Sequence, residues 1–410
     1  MRALPAAVTA VACAVVAGCG SGTTAARSAP ARSPAAGSAA AGSVPASSPG
    51  HCPGLAALAA GHEVGAWRLG VIQFTSAEAG EALTAARIPC DIPLGPGQGT
   101  EVSFQPQPVL LAASRDGGRH WVTGGRPVPG SGDTGPMQVA AVAGLDVWVV
   151  NGAGTMLSTS DDGATWVPQP LPGPVLSAGS SGGWLWALSC PPAGAAQCHP
   201  VVARRALTGG SWARASLAVP LSFSGDLRLT VLSGRDAAVV LADPSAALAS
   251  TADGGVTWSV RRSPAANPRR CEPDDPGFLA AASPGHWWLL CTGGAAAGSS
   301  AKALFRSLNA GRTWSVVSAI TSLTAPARPG SLPYQDFITM AAAAPDRLWI
   351  VTPNTLNGSQ DGGVTWTRLL MNRQGYSGQL DLWSGAVAWL LVPGAGLWDT
   401  SDGVSWHEIS

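Results

Sequence analysis

Beyond residue 50 the chain is a succession of short apolar runs separated by polar punctuation. Val139-Ala140-Ala141-Val142 gives way to Gly144-Leu145-Asp146 and then to Val147-Trp148-Val149-Val150. Phe337-Ile338-Thr339-Met340 is followed in the same way by Leu348-Trp349-Ile350-Val351, and Val71-Ile72-Gln73-Phe74 by Val109-Leu110-Leu111-Ala112 after a long insertion carrying Cys90. Runs of alternating or β-branched residues bounded by Gly, Asp, Asn or Pro predict strands and turns. No stretch after residue 50 keeps apolar residues at helical spacing over several turns. The pattern predicts an all-β fold.

One motif recurs after these strand pairs. It reads S-R-D-G-G-R-H-W at 114–121, T-S-D-D-G-A-T-W at 159–166, T-A-D-G-G-V-T-W at 251–258, S-L-N-A-G-R-T-W at 307–314 and S-Q-D-G-G-V-T-W at 359–366. T-S-D-G-V-S-W at 400–406 is one residue shorter. The gap from Trp166 to Trp258 is twice that from Trp121 to Trp166, and midway L-T-G-G-S-W ends at Trp212 without the acidic residue. With it included, Trp121, Trp166, Trp212, Trp258, Trp314, Trp366 and Trp406 step by 45, 46, 46, 56, 52 and 40 residues. Seven units of ~40–50 residues with about four strands each predict a seven-bladed β-propeller over 51–410. The fifth unit is lengthened by an insertion with Cys271, Cys291 and an expected flexible segment at 293–300.

The motif resembles the Asp-box, or BNR, repeat. That resemblance implies a hairpin between the third and fourth strands of each blade. The residue types suit one: a carboxylate accepts bonds from turn N–H groups, glycine takes positive φ, and the indole fills space between strands. Asp116, Asp161, Asp253, Asn309, Asp361 and Asp402 are therefore expected to staple turns. Groups spread around a ring cannot converge on one substrate. The Trp212 unit, lacking the acceptor, is expected to have a looser turn.

The first 50 residues are of another kind. Met1-Arg2 precedes an apolar run from Ala3 to Ala17, too short to span a bilayer as a mature helix, and Val16-Ala17-Gly18-Cys19 closes it. This resembles the bacterial lipobox, which implies a signal peptide over 1–18 and diacylation of Cys19. Residues 19–50 are nearly all Gly, Ser, Ala, Pro and Thr, a composition that cannot bury a core and predicts a disordered tether. A flexible chain of that length reaches on the order of 30 Å. The expectation is a propeller anchored through lipid to a membrane on its extracytoplasmic face.

Charge and cysteine content narrow the function. Lys+Arg 24 balances Asp+Glu 24, so the basic excess of a nucleic-acid binder is missing. Cys52, Cys90, Cys190, Cys198, Cys271 and Cys291 remain after the leader and Cys19, an even number that reads as disulfides in an exported chain. Pairing by sequence neighbour gives 52–90, 190–198 and 271–291. His51, His62, His120, His199, His286 and His407 show no metal-ligand spacing, and no phosphate loop or nucleophile elbow occurs. No cofactor or metal is expected. Glu272, Asp274 and Asp275 read as a solvated loop, and Trp184, Trp186, Trp287 and Trp288 as strand residues of the blade core.

Sialidases also carry Asp boxes. Arg87-Ile88-Pro89 resembles their early Arg-Ile-Pro motif, and Arg373 with Tyr376-Ser377 resembles an arginine and the Tyr-Ser nucleophile pair. Resemblance to that family implies an exo-α-sialidase alternative with Arg87, Arg373 and Tyr376 as catalytic residues. Ala86 replaces the family's aromatic, Cys90 follows the motif at once, Glu272 and Glu408 are the only glutamates after Glu101, and seven units exceed the family's six blades. The repeat order is more similar to exported Asp-box propellers of the photosystem II assembly-factor type and related BNR lipoproteins. That resemblance implies a non-catalytic scaffold binding a protein or glycan on one face of the ring.

Overall fold

Each predicted unit folds into one antiparallel sheet whose second strand is buried along nearly its whole length between neighbouring blades. The computed structural model describes residues 58–85, 87–93, 100–131, 137–191, 197–217, 221–222, 227–241, 247–267, 270–272, 277–296, 299–321, 329–371, 379–384, 386–392 and 396–409. The leader, Cys19 and the expected tether lie outside them.

Seven blades of four strands follow one another. Blade 1 comprises Leu69–Phe74, Gly80–Thr84, Leu111–Ser114 and Trp121–Gly124, and blade 2 comprises Gln138–Ala143, Asp146–Val150, Met156–Thr159 and Val167–Pro168. Blade 3 comprises Val175–Ser181, Trp184–Ser189, Val201–Ala206 and Gly209–Ser216, and blade 4 Leu227–Val231, Ala237–Leu241, Ala247–Thr251 and Ser259–Arg262. Blade 5 comprises Phe278–Ser283, His286–Ala296, Ser299–Ser307 and Ser315–Ile320, and blade 6 Thr339–Ala344, Arg347–Val351, Thr355–Ser359 and Thr367–Met371. Blade 7 comprises Gln379–Ser384, Val387–Val392, Gly396–Thr400 and His407–Ile409. First strands of successive blades touch around the ring, and that of blade 7 touches that of blade 1. The fold is a seven-bladed propeller with the first strands innermost.

Blade 1 gains an extra strand, and two local expectations are corrected. Glu63–Val64 pairs with Val122 and Trp121, so it adds a fifth strand to the outside of blade 1. Of the stretch at 293–300 expected to be flexible, the described residues are strand: Ala295 and Ala296 pair with Ser300 and Ser299, prolonging a hairpin of blade 5. The turn before Trp212 is shorter rather than looser. Ala206 pairs directly with Gly209 across Leu207-Thr208, and Gly209 and Gly210 take φ of 117° and 105°.

The core is cut into seven slices, one at each blade junction. A slice holds the box tryptophan of the later blade and second-strand side chains of the earlier one. Trp349 of blade 6 meets Trp406 of blade 7 edge to face, ring centroids 6.0 Å apart. The expected core tryptophans Trp186, Trp287 and Trp288 are buried, and Trp184 is half-buried beneath the Arg204 guanidinium.

The box glycine is the other half of the lock. Its positive φ permits the turn, and its missing Cβ lets the preceding blade approach. A Cβ on Gly118 of blade 1 would stand 2.7 Å from Leu397 of blade 7, and one on Gly403 of blade 7 would stand 2.9 Å from Trp349 of blade 6. Trp288 Nε1 donates to Gly362 O at 3.0 Å and Trp349 Nε1 to Gly403 O at 3.0 Å, each reaching the next blade's box.

Among the described residues no strand is shared between blades 7 and 1, and side chains tie the ring there. Gln379 accepts from Ile72 N at 3.0 Å and donates to Ile72 O at 3.2 Å. Asp381 Oδ2 accepts from Phe74 N at 2.6 Å, and the Phe74 ring stacks on Trp389 at 3.7 Å. Similar ties join other inner strands: Gln138 to the Ala178 backbone, Leu229 N to Ser177 Oγ at 3.3 Å, and Thr230 Oγ1 to Leu279 O at 3.3 Å.

Two predictions follow from this seam. Gly118→Ala places a side chain at φ 94° and against Leu397. Strain and overpacking together should cost about 2–4 kcal/mol, read as a lowered denaturant midpoint. The second concerns pH. Burial pushes the Asp381 carboxyl up to about 7, so the folded chain holds its proton more tightly than the unfolded chain does. Stability from this group is therefore full below about pH 4 and falls as pH rises to 7, by up to ~4 kcal/mol. Asp381→Asn should remove that fall and stabilise the protein at pH 8 but not at pH 4. Burial also raises Glu81 to about 7 despite its 2.9 Å ion pair with Arg115, so a shallower slope of the same sign persists. Urea unfolding from pH 4 to pH 8 measures both, and an unchanged slope in the variant would refute the Asp381 assignment.

Candidate binding face

The box carboxylates are consumed by their own turns. Asp161 Oδ1 accepts from Thr165 N at 2.9 Å and Thr159 Oγ1 at 2.8 Å, and Oδ2 from Thr165 Oγ1 at 2.7 Å. Asp253 and Asp361 repeat the pattern with Thr257 and Thr365. Asn309 accepts from Thr313 N through Oδ1 at 2.9 Å and donates through Nδ2 to Thr313 Oγ1 at 2.8 Å. In the short seventh box Asp402 accepts from Val404 N and Ser405 N at 2.8 and 2.7 Å. Bonds of this kind favour the ionised form. The Thr257 hydroxyl and N–H hold Asp253 well below the carboxylate range, and N–H groups of Val404 and Ser405 do the same for Asp402. His120 takes the threonine place beside Asp116. Its ring Nδ1 lies 2.5 Å from Oδ2, which holds Asp116 at about 2 and raises the imidazole.

The paired tryptophans differ in burial. Trp121 and Trp366 are buried, whereas Trp166, Trp212, Trp258, Trp314 and Trp406 are half-buried against their junctions.

Antiparallel order divides the connections between two faces. First-to-second and third-to-fourth turns lie on one face; second-to-third and blade-to-blade connections lie on the other. The box face is nearly uniform, with turns such as 144–145, 182–183 and 345–346 beside boxes such as 252–258 and 308–314. The connection face is irregular: the second-to-third links of blades 1 and 3 and the links into blades 5 and 6 are long in sequence, at 85–110, 190–200, 263–277 and 321–338. The first of these carries a two-stranded hairpin, Arg87–Pro93 with Thr100–Pro106, and Gln197–Cys198 pairs with Leu221–Ser222 above blades 3 and 4.

On this face the blade entrances bring together side chains that no box signalled, two of which, Phe278 and Phe337, also pack on the core slice between blades 5 and 6. Arg228, Phe278 and Phe337 come from the entrances of blades 4, 5 and 6. The Arg228 guanidinium lies 3.6 Å from the Phe278 ring centroid, and Phe278 meets Phe337 edge to face at 4.9 Å. All three are half-buried, and a bulge between Val175 and Ser177 leaves Leu176 exposed.

The ground beneath this cluster is braced. Cys271 and Cys291 form a disulfide that fastens the approach to blade 5 onto its second strand. The buried Lys302 amine donates to Tyr334 O at 3.3 Å and to Gln335 O, fastening the approach to blade 6. Burial lowers Lys302 to about 8. It stays mostly protonated at neutral pH and acts as a structural cation.

Other sequence candidates fall apart from this cluster. Arg373, Tyr376, Cys19 and Cys52 lie outside the described residues. Arg87 and Cys90 sit on the blade 1 hairpin and Cys198 on Gln197–Cys198, with side chains outside the described part. Cys190 is buried and disulfide-bonded. Among the described residues no group of three or more His, Cys, Asp or Glu is placed to hold a metal ion. Arg228 and Phe278 could have been sought in the sequence as the entry residues of the inner strands after Trp212 and Trp258; their proximity could not.

No protein-family model matches the chain, and no curated protein matches it. Solved structures show the fold. YCF48 bound to D1 peptide is similar at a TM-score of 0.51 and 16% identity, over 79% of this chain and 89% of that one. An ancestral GH74 enzyme is similar at a TM-score of 0.52 and 11% identity, over 83% of this chain and 47% of that one. At these low identities the structural similarity shows a shared propeller fold alone.

The bracing is testable. Cys271→Ala with Cys291→Ala should lower stability by about 3 kcal/mol, the loop-closure value for a bridge of sequence separation 20. Hydrogen exchange should quicken around 270–296 while blade 2 is unchanged. Uniform acceleration in both blades would contradict a local brace.

Proposed function

We propose that this chain is a non-catalytic propeller scaffold that holds a segment of a partner protein at the channel mouth of its connection face. The observation that carries the reading is the Arg228–Phe278–Phe337 cluster standing on two braced connections. A guanidinium laid on an aromatic face beside a second ring offers apolar area, a cation and little conformational freedom to lose, the qualities of interface hot spots. The box carboxylates are withdrawn from ligand chemistry by their turns. The similarity to YCF48, solved with a D1 peptide, lends support from the same architecture. A glycan partner on this face is the other outcome. The Cys19 motif supports anchoring by lipid, which would leave the propeller free above a membrane on a flexible tether.

Capture from solubilised membranes with the full lipidated chain tests both points. Arg228→Gln with Phe337→Ala should lose the partner that the parent protein retains while the ring stays folded by circular dichroism, and crosslinks from the partner should map to the connection face. An identical captured set from parent and variant would sink the proposal, and so would capture only of polysaccharide. Separately, Cys19→Ser should shift the protein from the membrane fraction to the soluble fraction; retention in membranes would refute the anchor.

A further inference from the structure

The opposite face has its own irregularity. Six blades close their third-to-fourth connection with a box turn, and blade 3 closes it with Leu207-Thr208. In blades 5 and 6 the second-strand indole N–H reaches the carbonyl of the next blade's box glycine. Trp148 of blade 2 has the same register, paired opposite the residue before its own blade's leading box hydroxyl. Its following blade has no box, and its Nε1 is buried without a protein partner, as are those of Trp186 and Trp389 at the same register ahead of complete boxes. A cleft of about 260 Å³ occupies the place of the missing turn, lined by Trp148, Asp146, Ser160, Gln169, Arg205 and Thr208 among others.

Arg205 stands at the register that a serine or threonine holds in the boxes. Its guanidinium bonds the neutral Gln169 Oε1 at 2.8 Å and lies 6.0 Å from the Trp148 ring and 5.7 Å from the Trp212 ring. Neither ion pair among the described residues includes it, and Asp146 lines the same cleft without pairing with it.

We propose that this cleft is a subsite for one neutral pyranose ring. Vicinal hydroxyls both donate and accept. The cleft offers a guanidinium that donates, a carboxylate that accepts, and hydroxyl and amide groups that do either. The volume lies just below the ~300–1,000 Å³ of ordinary small-molecule sites, which limits the occupant to a single ring. Asp146 disfavours an acidic sugar. The cleft is on the box face, so the inference stands or falls apart from the partner site at the channel mouth.

The full chain is titrated with the methyl glycosides of glucose, galactose, mannose and N-acetylglucosamine, with methyl glucuronide as the charged contrast. Saturation-transfer NMR and indole shifts report binding. At least one neutral glycoside should bind in the millimolar range, as expected for so few atoms, and move the Trp148 or Trp212 indole signal. Asp146→Asn and Arg205→Gln should each weaken it about tenfold or more, the loss of one charge-assisted bond. Thr208→Trp, on an exposed turn residue, should block binding with unchanged melting. The proposal is overturned if no neutral glycoside binds, if binding survives Thr208→Trp, or if the glucuronide binds as tightly.

Discussion

Among the described residues no hydrogen-bonded strand passes between blades, and everything else in this fold depends on how that is made good. Each sheet ends in an inner edge whose N–H and C=O groups need partners and in a face that must be covered by its neighbour. The answer is the same at each junction: the box tryptophan of one blade packs beside the second strand of the blade before it. Box glycines allow the approach, and polar side chains on inner strands reach across to the next backbone. At the seam between blades 7 and 1 these substitutes carry the closure themselves, through Gln379, Asp381 and the stacked Phe74 and Trp389 rings. The buried carboxylate is therefore a weak point that the ring tolerates because its N–H donor is fixed and close.

This explains why the architecture was legible and the closure was not. Box residues obey local turn chemistry at fixed offsets, so Asp161 or Asp361 declares a hairpin wherever it stands. Trp212 could be placed by spacing even without its acidic residue, because the junction it fills still needs an indole. The loss of the acceptor predicted looseness, yet two glycines at positive φ let the strands meet over two residues instead. Asp381 sits in Leu380-Asp381-Leu382, and nothing nearby shows that its donor lies 307 positions away.

The candidate site was the least legible part. Arg228, Phe278 and Phe337 occupy three different blades, and each alone is an unremarked residue at a strand entrance. Their contact is a product of ring curvature, which brings neighbouring first strands together only once all blades are in place. The bracing was half visible: Cys271 and Cys291 read as a bridge, but Lys302 gave no sign that it would be buried against backbone carbonyls.

The two faces differ because the lock occupies only one of them. A box cannot be lengthened without moving its glycine off the preceding blade, so insertions there disturb a junction. The second-to-third and blade-to-blade connections take no part in the glycine contact, and they have grown into hairpins and bridged loops. Variation is thereby confined to the face where it costs least, without loss of the ring. Blade 3 is the one box-face position where the rule is relaxed, and the consequence is local: an arginine in place of a hydroxyl, and a cleft between two blades. Relaxing the lock at one junction while keeping its tryptophan opens room without opening the ring.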